Sequence, residues 1–146
     1  MKRAGLLALV AVLALTAYSS GVWAHGGRPL SAIMIGSEEV PPGDPDGIGV
    51  AELTFNPGLN EVCWHISVMN IALPATAAHI HRAPAGVAGP VVVPLSPPDS
   101  SGMSSGCRAG VDRDLILDIM HNPQEYYVNV HNADYPAGAV RGQLGK

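Results

Sequence analysis

The stretch GVAELTFNPGLNEVCWHISVMNI, residues 49–71, decides the fold class. Two β-prone runs, 49–55 and 61–71, flank the turn segment NPGLN, and that arrangement predicts a β-hairpin. Successive strand residues point to opposite faces. Trp64, Ile66 and Val68 therefore share one face, with Cys63, His65 and Ser67 on the other.

Outward from this hairpin, thirteen prolines and seventeen glycines cut the chain into short pieces that long helices do not tolerate. Further strands are expected at 30–36, 76–81 and 89–95, with a closing hairpin of 126–132 and 138–144 across ADYPA. SPPDSSGMSSG, 96–106, is expected to be a polar linker. One segment, VDRDLILDIMHNP, departs from the pattern. Leu115, Ile116, Ile119 and Met120 fall at helical spacing, Asp112 is a suitable N-cap, and Pro123 lies just beyond the end. The expectation is an all-β sandwich or barrel with one short helix over Asp112–Asn122.

The N-terminal segment sets the compartment. Lys2 and Arg3 precede the apolar run AGLLALVAVLALTA, too short for a comfortable span, and Val22-Trp23-Ala24 offers small residues where a signal peptidase reads. Residues 1–24 thus read as a secretory signal peptide, with 25–146 as one β domain of roughly 120 residues. Tyr18 stands where a lipoprotein signal carries its lipidated cysteine, so no stable membrane anchor is expected. Removing Lys2 and Arg3 makes the formal net charge of −4 two units more negative, which argues against nucleic acid as a partner. The chain has just two cysteines, Cys63 and Cys107, and in an oxidising compartment they are expected to pair.

Three separated motifs, SEEVPP, AHIHRAPAGVAGPVVVPL and YYVNVHNADYPAGAVRGQL, resemble the CHRD (chordin-domain) family in order and spacing, over about Leu30 to Leu144. The resemblance implies an immunoglobulin-like β architecture and a secreted, periplasmic or extracellular setting. The family includes stand-alone secreted bacterial proteins. It implies no reaction and no catalytic set. Ala139 stands where many members carry an acidic residue before the RGQ motif.

The chemistry-bearing residues are histidines. His79 and His81 in AHIH share one strand face, and in YYVNVH so do Tyr127, Asn129 and His131. Should the two strands be neighbours, His79, His81 and His131 converge, a donor set suited to copper or zinc at about 2.0–2.2 Å. The alternative is structural: a ring nitrogen donating to a carbonyl of the RAPAGVAGP loop. His65 is either a further ligand or a solvent-side residue of a half-buried strand. If cleavage follows Ala24, His25 begins the mature chain, where its amine and imidazole chelate Cu(II); otherwise it is simply the start of a tail. His121 suits the C-terminal end of its helix. Arg141 is expected to pair with a carboxylate inside the sandwich.

Other chemistries are excluded or thin. Asp44 and Asp46 in GDPDG lack the glycine and glutamate placement of a calcium loop, and the serines of 96–105 lack a nucleophile elbow. Three readings remain. The first is a non-catalytic module that binds an extracytoplasmic protein or envelope component. The second is a copper- or zinc-binding protein that holds the ion with the histidines. The third is a copper redox enzyme resembling superoxide dismutase, whose copper is also held by an H-x-H pair and a distant histidine.

Overall fold

The computed structural model describes residues 26–146. The signal-peptide segment and His25 lie outside the described residues. Eight strands carry the fold: β1 (Arg28–Ile35), β2 (Ile48–Asn56), β3 (Glu61–Met69), β4 (Ala77–Arg82), β5 (Val91–Leu95), β6 (Met103–Ala109), β7 (Tyr126–His131) and β8 (Val140–Gln143). They form one antiparallel sheet in the order β5-β4-β7-β8-β1-β2-β3-β6. β1 and β8 meet at Ile35 and Arg141, and a further bridge joins Ser31 to Gly145. The sheet curls into a nearly closed barrel. Side chains of β6 reach across the remaining gap: Arg108 Nε donates to Pro94 O at 2.7 Å, and Ser104 Oγ donates to Ser96 O at 2.7 Å.

The 49–71 hairpin forms as its sequence predicts, with Asn56 opposite Glu61. Asn56 Oδ1 accepts from Gly58 N and Leu59 N, and Asn60 takes the left-handed φ of 52° that asparagine tolerates. Trp64, Ile66 and Val68 face inward with Leu53 and Phe55. Ile80, Val128, Val130 and Val140 line the same interior from the other half of the sheet. Fully burying each such side chain contributes about 1.5–3 kcal/mol.

The helix α1 (Arg113–His121) is the single α-helix among the described residues. Asp112 caps it, accepting from Asp114 N and Leu115 N. Ile116 and Ile119 are buried in the common core, and His121 Nδ1 donates to Leu117 O at 2.7 Å near the helix end.

One expectation is corrected. The polar stretch 96–106 is a linker only in its first half, because Met103 begins β6. Apolar alternation does not hold this strand. Register with β3 does, and it sets Cys107 opposite Cys63, where the two form a disulfide. Trp64 Nε1 donates to Ser104 Oγ at 3.1 Å. Gly106 lies over the Trp64 ring, where a Cβ would come 2.8 Å from Cζ2.

Candidate metal centre

β4 and β7 are neighbours, pairing His79 with Asn129, His81 with Tyr127 and Ala77 with His131. Ile80, Val128 and Val130 fill the inner face, so the histidines project from the outer one. That face is not open to water. The segment 83–90 folds back over it. Arg141 on β8 donates to Val87 O and Pro84 O, both at 2.9 Å, and Gln143 Nε2 donates to Ala83 O at 3.0 Å. Gly89 N donates to the Tyr127 hydroxyl at 3.2 Å. A Cβ on Gly89 would fall 2.1 Å from Arg82 O, so the return path needs glycine.

Arg141 is almost fully buried, 3.4 Å above the Tyr127 ring centre. Its hydrogen bonds go to two backbone carbonyls and to Gln143 Oε1 at 2.9 Å. The expected place inside the barrel is therefore corrected: Arg141 alternates with core-facing Val140 and points outward, where it anchors a cover.

The ligand-capable nitrogens of His79, His81 and His131 lie within 4.8 Å of one another. A register shift between Ile80 and His81 against β5 re-aims the strand at that point. His81 is buried, and its ring stacks on Tyr127 with centroids 4.7 Å apart. His81 Nδ1 donates to Gly89 O at 2.8 Å, and His131 Nδ1 donates to Pro136 O at 3.0 Å. A carbonyl only accepts, so both Nδ1 atoms carry the proton and both Nε2 atoms present lone pairs. His81 Nε2 is buried without any hydrogen-bond partner. His79 Nδ1 stands 3.2 Å from His131 Nε2. Two nitrogens bound tetrahedrally at 2.0–2.1 Å to one ion stand about 3.3 Å apart.

The electrostatics keep these rings neutral. Burial, with the neighbouring rings of His131 and His81, holds His79 down at about 4. Burial also lowers His81 and His131, against the hydrogen bonds to Gly89 O and Pro136 O that favour their charged forms. Neutral imidazole is the form that ligates metal.

His65 is not part of this arrangement. It sits on β3, exposed, opposite Glu52 on β2 and Ser105 on β6. The two readings of the histidine pair turn out to use different atoms: the Nδ1 of His81 braces the loop, and its Nε2 is left over. Missed by the sequence reading are the buried Asn129 and Glu39 beside the cluster. Face parity grouped Asn129 with His131, but an amide is rarely weighed as a ligand.

A disulfide-stapled antiparallel barrel with a covered polar face is the class that these features define. The CHRD domain model matches residues 30–144, and the chain belongs to that family. Among curated proteins none matches the chain at a significant level. The family and the disulfide are consistent with an extracellular setting.

Proposed function

We propose that this protein is a secreted, non-catalytic CHRD-type binding module that captures one copper or zinc ion through His79, His81 and His131. The observation that carries the proposal is the pair of ring nitrogens at the covered face. His81 Nε2 is buried and partnerless, and His131 Nε2 also presents a lone pair, met by His79 Nδ1 at 3.2 Å, because each Nδ1–H is committed to a backbone carbonyl. That tautomer-fixing contact is the arrangement metal-ligating histidines use. Three imidazoles suit both ions, and Cu(II) is favoured by intrinsic affinity. The protein partner we infer for the module is an extracytoplasmic protein or envelope component.

Calorimetric titration with Cu(II) and Zn(II) tests the reading, using protein whose N-terminal amine is blocked so that His25 does not contribute. The His79→Ala, His81→Ala double variant is expected to bind at least about 100-fold more weakly. Equal binding by the variant would leave the histidines as loop braces alone. The dismutase-like alternative separates at a second measurement: turnover of superoxide by the copper-loaded protein would replace a binding role with a redox one.

A further inference from the structure

Asn129 lies at the centre of the imidazole cluster. It is 2% exposed, faces His79 across β4 and Arg141 across β8, and precedes His131 by two on the same face. Its Oδ1 is 3.1 Å from His131 Nε2. That contact joins two acceptors, because the only proton on a neutral His131 ring is at Nδ1, directed at Pro136 O.

The other end of the amide faces a carboxyl. Burial raises Glu39 above the usual carboxylate range, and the neighbouring Asn129 side chain and Arg141 charge act against that rise. Glu39 is 5% exposed, and its Oε1 has no hydrogen-bond partner. Its burial is possible because position 138 is glycine: a Cβ there would stand 2.2 Å from Glu39 Oε1. Lone pairs of His131 Nε2 and Asn129 Oδ1 meet at 3.1 Å beside the partnerless His81 Nε2, and His79 Nδ1, 3.2 Å from His131 Nε2, is the one ring nitrogen placed to offer a proton there. A cation relieves this crowding of acceptors and takes the place of the His79 proton.

We propose that the Asn129 amide oxygen is a fourth ligand, making an N3O centre selective for a divalent ion, and that Glu39 is the residue that positions it. This rests on the three-histidine reading. The donor set has a chemical consequence. An amide oxygen is a harder donor than imidazole, so it strengthens Cu(II) and Zn(II) binding and contributes little to Cu(I).

The test uses the amine-blocked protein, titrated with Cu(II), with Zn(II), and with Cu(I) under reducing anaerobic conditions, alongside electron paramagnetic resonance of the Cu(II) form. Asn129→Ala is expected to weaken Cu(II) and Zn(II) by about 10–100-fold, to leave Cu(I) within about threefold, and to change the Cu(II) spectrum. Glu39→Ala is expected to weaken Cu(II) in the same direction. Glu39→Gln keeps an oxygen acceptor for the amide and is expected to restore most of the affinity. Circular dichroism establishes that each variant folds. Should Asn129→Ala fail to fold, Asn129→Gln serves: its longer arm displaces the oxygen and is expected to weaken Cu(II) likewise. Unchanged Cu(II) affinity and spectrum in the folded variant would overturn the fourth ligand and leave the three-histidine site standing. Absence of Cu(II) binding by wild type would overturn both, so the two failures are distinguishable.

Discussion

The outer surface of one half of the barrel, β4, β7 and β8, carries His79, His81, Tyr127, Asn129, His131 and Arg141 beneath the segment 83–90. The outer surface of the other half, β1, β2 and β3, carries Ile33, Val50 and Met69 with nothing over them: Ile33 is 77% exposed and Met69 60%. One half shields its polar side chains, while the other leaves apolar Ile33, Val50 and Met69 bare beside exposed Ser31, Glu52 and His65, the reverse of what solvation alone favours for those apolar members. Covering polar groups is costly unless each finds a partner. On the covered half most do, through Gly89 O, Pro136 O, Pro84 O and Val87 O. The exceptions among the described residues are His81 Nε2, Glu39 Oε1 and Asn132 Nδ2. A loop, a buried arginine and two glycines thus enclose atoms left unmatched, of which the proposed centre would use His81 Nε2. The bare half has its own means of stability, a disulfide and a nine-residue hairpin register.

The largest effect expected is on that bare half. Cys63 and Cys107 lie 44 residues apart in sequence, and closing such a loop restricts the unfolded chain by about 4 kcal/mol in the chain-entropy model. A Cys63→Ala, Cys107→Ala variant should lose about that much in urea unfolding. Intact mass after alkylation without reductant should show no modified thiol. Because the bridge is on β3 and β6, metal affinity of the folded variant should be unchanged; a large drop would show that the two halves are coupled.

On the covered half, Arg141→Ala should come next, at about 3 kcal/mol. It strips Pro84 O and Val87 O of their donor, each orphaned buried carbonyl costing about 1–3 kcal/mol, with partial relief as the loop opens to water. Metal affinity should fall with it, since the Gly89 carbonyl that orients His81 belongs to the same segment. Urea titration and calorimetry on one preparation read both. A stability loss below about 0.5 kcal/mol would mean that the cover is held by something other than Arg141.

The halves also differ in how far the sequence exposes them. The 49–71 hairpin was legible because turn residues and face parity are local, and so was the helix, whose cap and periodicity lie within eleven residues. Seven of the eight strands were legible for the same reason. β6 was not: SSGMSSGCR has no apolar alternation, and its strand state comes from β3 alone. Cys107 was the signal available, since a bridge to a predicted strand asks for a partner strand. For the candidate centre, parity placed His79 with His81 and Asn129 with His131, but the adjacency of β4 and β7 is a fact of topology. Glu39, some ninety residues upstream of Asn129, was beyond any local signal. The outward placement of Arg141 depended on the loop it holds, which no residue pattern specifies.

A smaller effect comes from pH. In the unfolded chain His79 titrates near 6.5, and in the folded protein it is held at about 4. The metal-free folded state thus binds fewer protons than the unfolded state across this window. Its stability is highest above about 6.5 and declines as pH falls toward 4. His81 and His131, also lowered by burial, act in the same direction. The melting temperature should fall from pH 7 to pH 4.5, and His79→Gln should flatten that slope. Metal binding should persist below the ordinary histidine range, further than an exposed imidazole pair would allow. A melting temperature that rises on acidification would contradict burial as the cause.

The smallest effect expected tests whether the bare half is truly bare. Ile33 pairs with Val50, Val50 with Ser67, and Ser67 with Met103, so the exposed side chains form a row across four strands. With 77% of its surface already in water, Ile33 has little burial to lose, and Ile33→Lys should change stability by no more than about 0.5 kcal/mol. The inner positions of the same strand behave differently: Met34 is fully buried, and Met34→Ala should cost about 2–5 kcal/mol. Metal affinity should be unaffected by Ile33→Lys, since the row lies on β1, β2, β3 and β6 and the histidines on β4 and β7. Urea unfolding at two protein concentrations makes the comparison decisive. A loss above 1 kcal/mol at the higher concentration alone would mean that a second copy of the chain covers the row, and the contrast between a covered polar half and a bare apolar half would then belong to the monomer only.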